Sequence, residues 1–146
     1  MKQVLFLCSA NYYRSRFAEN LFNWLASEVN LQWRADSSGL DMDRWGHLRG
    51  MSSYTIHALT SRGIQINDDH RNPKRLTLPD LANSDLVVAI KEAEHRQMMR
   101  EQFPLFVDQI EYWHINDLDC ALPEETLPVL EDHVRALVTR LSEGRT

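Results

Sequence analysis

The chain has 146 residues, a length that suits one domain with a sizeable core. Apolar residues make up 43% and charged residues 25%, as in ordinary soluble globules, and the net charge of −5 argues against non-specific nucleic-acid binding. No apolar run approaches the ~20 residues of a membrane span, the first residues carry no signal-peptide pattern, and two cysteines do not make a disulfide framework, so a reducing cytoplasm is the expected setting.

The apolar run Val4, Leu5, Phe6 and Leu7 reads as a strand buried on both faces. From Ser15 the period changes: Phe17, Leu21, Trp24, Leu25 and Glu28 mark one helical face, with Ser15 or a neighbour just before it as the cap. Residues 31–36 read as a second strand, with Leu31, Trp33 and Ala35 on one face, ended by Ser37-Ser38-Gly39. Residues 40–52 read as a loop containing Trp45. A helix over 54–62 is stopped by Gly63, and Ile64 and Ile66 begin a short extended piece. Another helix starts at Thr77 or Leu78, before Pro79. Residues 86–90 form the clearest central strand; 92–103 read as a helix stopped before Pro104, 110–115 as a fourth strand, and 123–141 as a closing amphipathic helix.

This alternation predicts a single α/β domain over residues 1–146. Its four-stranded parallel sheet has the flavodoxin-like order 2-1-3-4, with helices on both faces. Residues 8–14 then form a strand-to-helix loop at the carboxyl edge of the sheet, where open α/β folds bind ligands.

That loop reads Cys8-Ser9-Ala10-Asn11-Tyr12-Tyr13-Arg14. Such a turn can aim several backbone N–H groups into one concavity beside the positive end of a helix, which suits an oxyanion of phosphate size. Arg14 adds a planar fork able to take two phosphate oxygens at once. The same donors favour a thiolate at Cys8, and a thiolate can attack phosphorus directly. The blander reading of Cys8 is a buried small hydrophobe ending a strand. Arg16, Arg44, Arg49, Arg71 and Arg75 could form an anion-attracting rim, although solvated surface charge is the commoner fate of such residues.

The cysteine, five residues, arginine and serine of Cys8 to Ser15, with Asn11 three after the cysteine and Ala18-Glu19 in the helix, resemble the signature of the low-molecular-weight protein tyrosine phosphatases. Asp36-Ser37-Ser38-Gly39-Leu40, Gly63-Ile64, Asp69-His70-Arg71 and the segment 81–90 follow in that family's order. The resemblance implies hydrolysis of phosphate monoesters, protein phosphotyrosine foremost, or of a small aryl phosphate, with no metal and no cofactor. It implies Cys8 as nucleophile and Arg14 as phosphate clamp. Asn11, Ser15, Ser37 and His70 become a hydrogen-bond network holding the loop from behind. The family places its general acid, an aspartate followed by proline, after strand four. Asp117 matches best, with Leu118 where proline is expected, and Asp119 is the competitor.

The chain also departs from the family pattern. Tyr13 stands where a second loop cysteine is common, Arg16 replaces a proline, and Leu118-Asp119-Cys120-Ala121 lacks the usual aromatic pair. A substrate ring then needs other walls, and Tyr12 and Trp45 are the candidates, with an anchoring role for Trp45 equally open. Two other readings stand beside hydrolysis. One is a phosphoprotein-binding regulator with little turnover. The other is an arsenate reductase, which needs two further cysteines to pass a disulfide outward and finds only Cys120. The physiological substrate and the oligomeric state are not written in the sequence.

Overall fold

The computed structural model describes residues 1–66 and 71–144. In chain order the elements are β1 (Lys2–Cys8), α1 (Arg14–Glu28), β2 (Trp33–Gly39), α2 (Met42–Trp45), α3 (Ser53–Ser61), α4 (Leu78–Asn83), β3 (Leu86–Ala89), α5 (Glu92–Gln102), β4 (Glu111–Tyr112) and α6 (Pro123–Glu143). The strands form one parallel sheet in the order β2-β1-β3-β4, as expected from the alternation.

β1 lies at the centre, and Val4 to Leu7 are fully buried. Because successive side chains point to opposite faces, Val4 and Phe6 join Phe17, Leu21 and Phe22 of α1 and Leu130 and Val134 of α6 in one core layer. Leu5 and Leu7 join Leu81 of α4 and Met99 of α5 in the other. Helices therefore cover both faces, which is why β1 reads as an unbroken apolar run rather than an alternating one.

Several boundaries differ from the sequence reading. β2 runs Trp33–Gly39, in register from Lys2↔Trp33 to Cys8↔Gly39, rather than over 31–36. Leu31 instead packs into the core at the turn after α1, where its N–H bonds Ala26 O. Ser37 and Ser38 are buried strand residues, so the polar end of β2 disguised its length. β4 is only Glu111–Tyr112, an edge strand. Trp113 and Ile115 nevertheless continue the bonding, their N–H groups donating to Ala89 O and Ile90 O. The expected loop at 40–52 contains the short helix α2. Ser15 is not the cap of α1: that helix begins at Arg14, Tyr13 takes the cap position, and no side chain bonds the cap.

This topology assembles the functional edge. The carboxyl ends of β1, β2 and β3 are adjacent, so the segments following them share one rim of the sheet. Gly39, at the end of β2, sits so close to the loop after β1 that a Cβ there would lie 2.5 Å from Met42 Sδ and 3.0 Å from Ser9 O. Its lack of a side chain lets Leu40 N–H and Asp41 N–H bond Cys8 O and Ser9 O, each at 2.9 Å.

Candidate active site

Cys8 ends β1 and is buried. Its Sγ lies 2.9 Å from Ser15 Oγ, in the first turn of α1. Ser15 Oγ in turn accepts a bond from Asn11 Nδ2 at 2.9 Å. With its oxygen occupied by that amide, the hydroxyl proton of Ser15 is left to be donated toward sulfur. The geometry thus places a hydroxyl donor against the sulfur.

Asn11 is the keystone of the loop. Its φ is +51°, a left-handed conformation that asparagine tolerates better than most residues. Its amide is fully used: Nδ2 donates to Ser15 Oγ and to Ser37 Oγ, both at 2.9 Å, while Oδ1 accepts from Arg71 Nη1 at 2.9 Å and Lys74 N at 3.1 Å. Four partners identify which end of the amide is nitrogen and fix its plane. Three of the expected support residues, Asn11, Ser15 and Ser37, therefore lie in one network. His70 lies outside the described residues.

Arg71 and Arg16 belong to that support and not to a rim. Arg71 Nη2 bonds Ser37 Oγ at 2.9 Å and Glu19 Oε1 at 3.0 Å, and Ser37 donates to the same Glu19 oxygen at 2.5 Å. Arg16, buried at the position where the family carries proline, bonds Asn11 O at 3.4 Å, Gly50 O at 3.1 Å and Arg71 O at 3.0 Å. It ties the backbone of the loop to two other segments. Arg44 does stand at the cavity mouth, its guanidinium 4.9 Å from the Trp45 ring centre. Arg75 pairs with Asp43, and Arg49 bonds the carbonyls of Gly46 and Leu48.

Behind this scaffold the loop presents donors. No backbone N–H of residues 10–13 donates to another group among the described residues. Arg14 is 1% exposed, and its Nε has no partner there either. A row of backbone donors without protein acceptors around a strand-to-helix loop is an arrangement that suits an oxyanion. The remaining nitrogens of Arg14 are engaged: Nη1 donates to Ile115 O at 3.0 Å, and Nη2 lies 3.0 Å from Glu94 Oε2 and 3.2 Å from Asp117 Oδ2.

Glu94 and His95, from the first turn of α5, are site residues that the sequence reading missed. Burial pushes the Glu94 carboxyl up, but bonds from His95 and Ser9 and the charge of Arg14 outweigh it and hold the group well below the usual carboxylate range. Burial lowers His95 and keeps its ring neutral, against the pull of Glu94. Their position was recoverable in principle. In the order 2-1-3-4 the segment after β3 borders the loop after β1, so polar residues straight after the run 86–90 were placed to reach it.

A cavity of about 450 Å³ opens over the loop. Tyr12 and Trp45, the expected substrate walls, both line it, joined by Leu48, Met98 and Leu118. Asp117 and Asp119 also line it, but Asp117 is the one that faces Arg14; its Oδ1 accepts Leu118 N–H at 2.8 Å.

A cysteine and an arginine thus bracket the loop that follows the central strand of a β2-β1-β3-β4 sheet, in an α/β protein with helices on both faces. The family model for low molecular weight phosphotyrosine protein phosphatases matches residues 3–145, and the chain belongs to that family. The human low molecular weight phosphotyrosine protein phosphatase is 29% identical over 105 residues, a match covering 68% of this chain and 61% of that protein. The chain thus spans less than two thirds of the length of the curated relatives it matches. Among solved structures, a low molecular weight protein tyrosine phosphatase from T. tengcongensis superposes with a TM-score of 0.79 at 25% identity, covering 99% of this chain and all of that one. YfkJ from Bacillus subtilis shares the fold with a TM-score of 0.85 at 23% identity, over 100% and 98% of the two chains.

Proposed function

We propose that this protein hydrolyses phosphate monoesters through a phosphocysteine intermediate, with protein phosphotyrosine or a small aryl phosphate as substrate. The observation that carries the reading is the relay Asn11–Ser15–Cys8 beneath a loop of unpartnered donors, with Asp117 across from it at Arg14. The loop N–H groups and Arg14 Nε hold the phosphate oxygens. The Cys8 thiolate attacks phosphorus as the bond to the leaving oxygen breaks, and Asp117 gives that oxygen its proton. Water then attacks phosphorus, the S–P bond breaks, and Asp117 takes the proton, releasing inorganic phosphate. The position of Asp117 at the cavity, beside Arg14, supports it over Asp119 as the acid. Tyr12 and Trp45, spaced around the cavity, suit a flat aryl ring. A reducing compartment fits a working thiolate, and among the described residues no helix is long and apolar enough to cross a membrane.

The test is hydrolysis of aryl phosphates in the presence of chelator. Cys8→Ser is expected to abolish turnover. With a poor leaving group, Asp117→Ala is expected to cost about 10²–10⁴-fold in kcat, with a much smaller loss for a good leaving group, whereas Asp119→Ala leaves both nearly unchanged. Undiminished turnover by Cys8→Ser overturns the reading. Tight phosphopeptide binding with no turnover by the unmutated chain replaces it with that of a phosphoprotein-binding regulator.

A further inference from the structure

We propose that Glu94 is a positioning residue for Arg14: its carboxylate, fixed by Ser9 and His95, sets the plane of the guanidinium so that Nε is left as a donor to phosphate. The inference rests on the function proposed above and names a part of the site that the family signature in the loop does not contain.

His95 is fully buried, and its Nδ1 accepts Lys91 N–H at 3.0 Å. In the neutral ring the proton is therefore on Nε2, which lies 3.1 Å from Glu94 Oε2 and 3.2 Å from Ser9 Oγ. Ser9, the second residue of the loop, donates its hydroxyl proton to the same Glu94 oxygen. Arg14 Nη2 is the third donor, at 3.0 Å. One carboxylate oxygen thus gathers a loop hydroxyl, a buried imidazole and the guanidinium. A guanidinium is planar, so fixing Nη1 on Ile115 O and Nη2 on Glu94 determines where Nε points.

Two carboxylates share Nη2, and they differ in how they are held. The Asp117 side chain is 37% exposed and, among the described residues, is bonded otherwise only by the N–H of its neighbour Leu118. An arriving phosphate oxygen can displace it. Glu94 is 24% exposed and cannot leave Arg14 without also releasing Ser9 or turning from His95. It therefore stays in place while phosphate is bound, which is what a positioning group must do and a competing anion would not.

The experiment compares the unmutated chain with Glu94→Gln and Ser9→Ala, measuring kcat and KM on an aryl phosphate. Calorimetric affinities for inorganic phosphate and for orthovanadate, which mimics the five-coordinate phosphorus, are measured alongside. For Glu94→Gln the expectation is a fall in kcat of about tenfold to a hundredfold, the scale on which a small misplacement costs rate. KM should change little, and vanadate affinity should drop by a larger factor than phosphate affinity. Ser9→Ala should show the same pattern more weakly. A kcat equal to or above that of the unmutated chain, or unchanged vanadate affinity, overturns the proposal and makes Glu94 a competitor of phosphate for Arg14. If thermal melting shows that Glu94→Gln does not fold, Ser9→Ala decides, and a folded Ser9→Ala protein with unchanged kcat and vanadate affinity overturns it. Absence of turnover in the unmutated chain defeats the hydrolytic reading instead, and the vanadate comparison still decides the role of Glu94.

Discussion

Tyr13 carries its hydroxyl into the interior with no partner among the described residues. Burial, and next the charge of Asp117, push its pKa up to about 12, so the group stays neutral. A buried hydroxyl without a bond costs about 1–3 kcal/mol in lost hydration. Tyr13→Phe keeps the ring and deletes the cost, and is expected to raise the urea midpoint, by up to about 3 kcal/mol of stability. A lower midpoint would mean that the hydroxyl has a partner in solution. Residue identity was the most legible scale of this site. Cys8, Asn11, Arg14 and Ser15 stand in one short stretch, and it is the stretch that carries the family resemblance. Arg16 and Arg71 were not legible, because an arginine in a polar stretch looks the same whether it is solvated or buried against carbonyls.

At the scale of elements, the central strands and the longer helices followed from apolar periodicity, since burial on both faces of a parallel sheet leaves an unmistakable run. β2 and β4 did not. The inner end of β2 is written in serines that serve the loop, and β4 is an edge whose bonding continues through Trp113 and Ile115 after the strand itself has ended. The start of α5 was legible as a helix but not as a wall of the site, because Glu94 and His95 reach the loop only through strand order. His95 gives that helix start a pH dependence. Its native pKa is depressed by burial, below the ~6.5 of an unfolded chain. Between those two values the unfolded chain binds the proton and the native chain does not, so stability is full above about 6.5 and falls as pH drops. Urea midpoints measured from pH 7 to pH 5 should decline, with His95 contributing at most about 1.4 kcal/mol per pH unit. His95→Gln should flatten that slope. Glu94, also depressed, adds its share only below the ordinary carboxylate range of about 4.3.

At the scale of the whole molecule, the loop is held by residues from nearly every part of the chain. Asn11 bonds Ser37, Arg71 and Lys74; Cys8 and Ser9 bond the segment after β2; Ser9 bonds α5; and Arg14 bonds Ile115 beyond β4. Its shape is therefore a property of the completed fold and not of the local sequence. The N–H groups of residues 10–13, without partners among the described residues, leave their own trace in time. Amide protons of β1 and α1, locked in ladders and turns, should exchange with deuterated water only on the timescale of larger openings, while those four should exchange far sooner. Adding orthovanadate supplies acceptors for them alone, and their exchange should slow by at least about tenfold, the mass-action effect of ten dissociation constants of ligand, with β1 and α1 almost unmoved. Uniform slowing across all three segments would mean that the anion tightens the whole fold rather than filling its cradle.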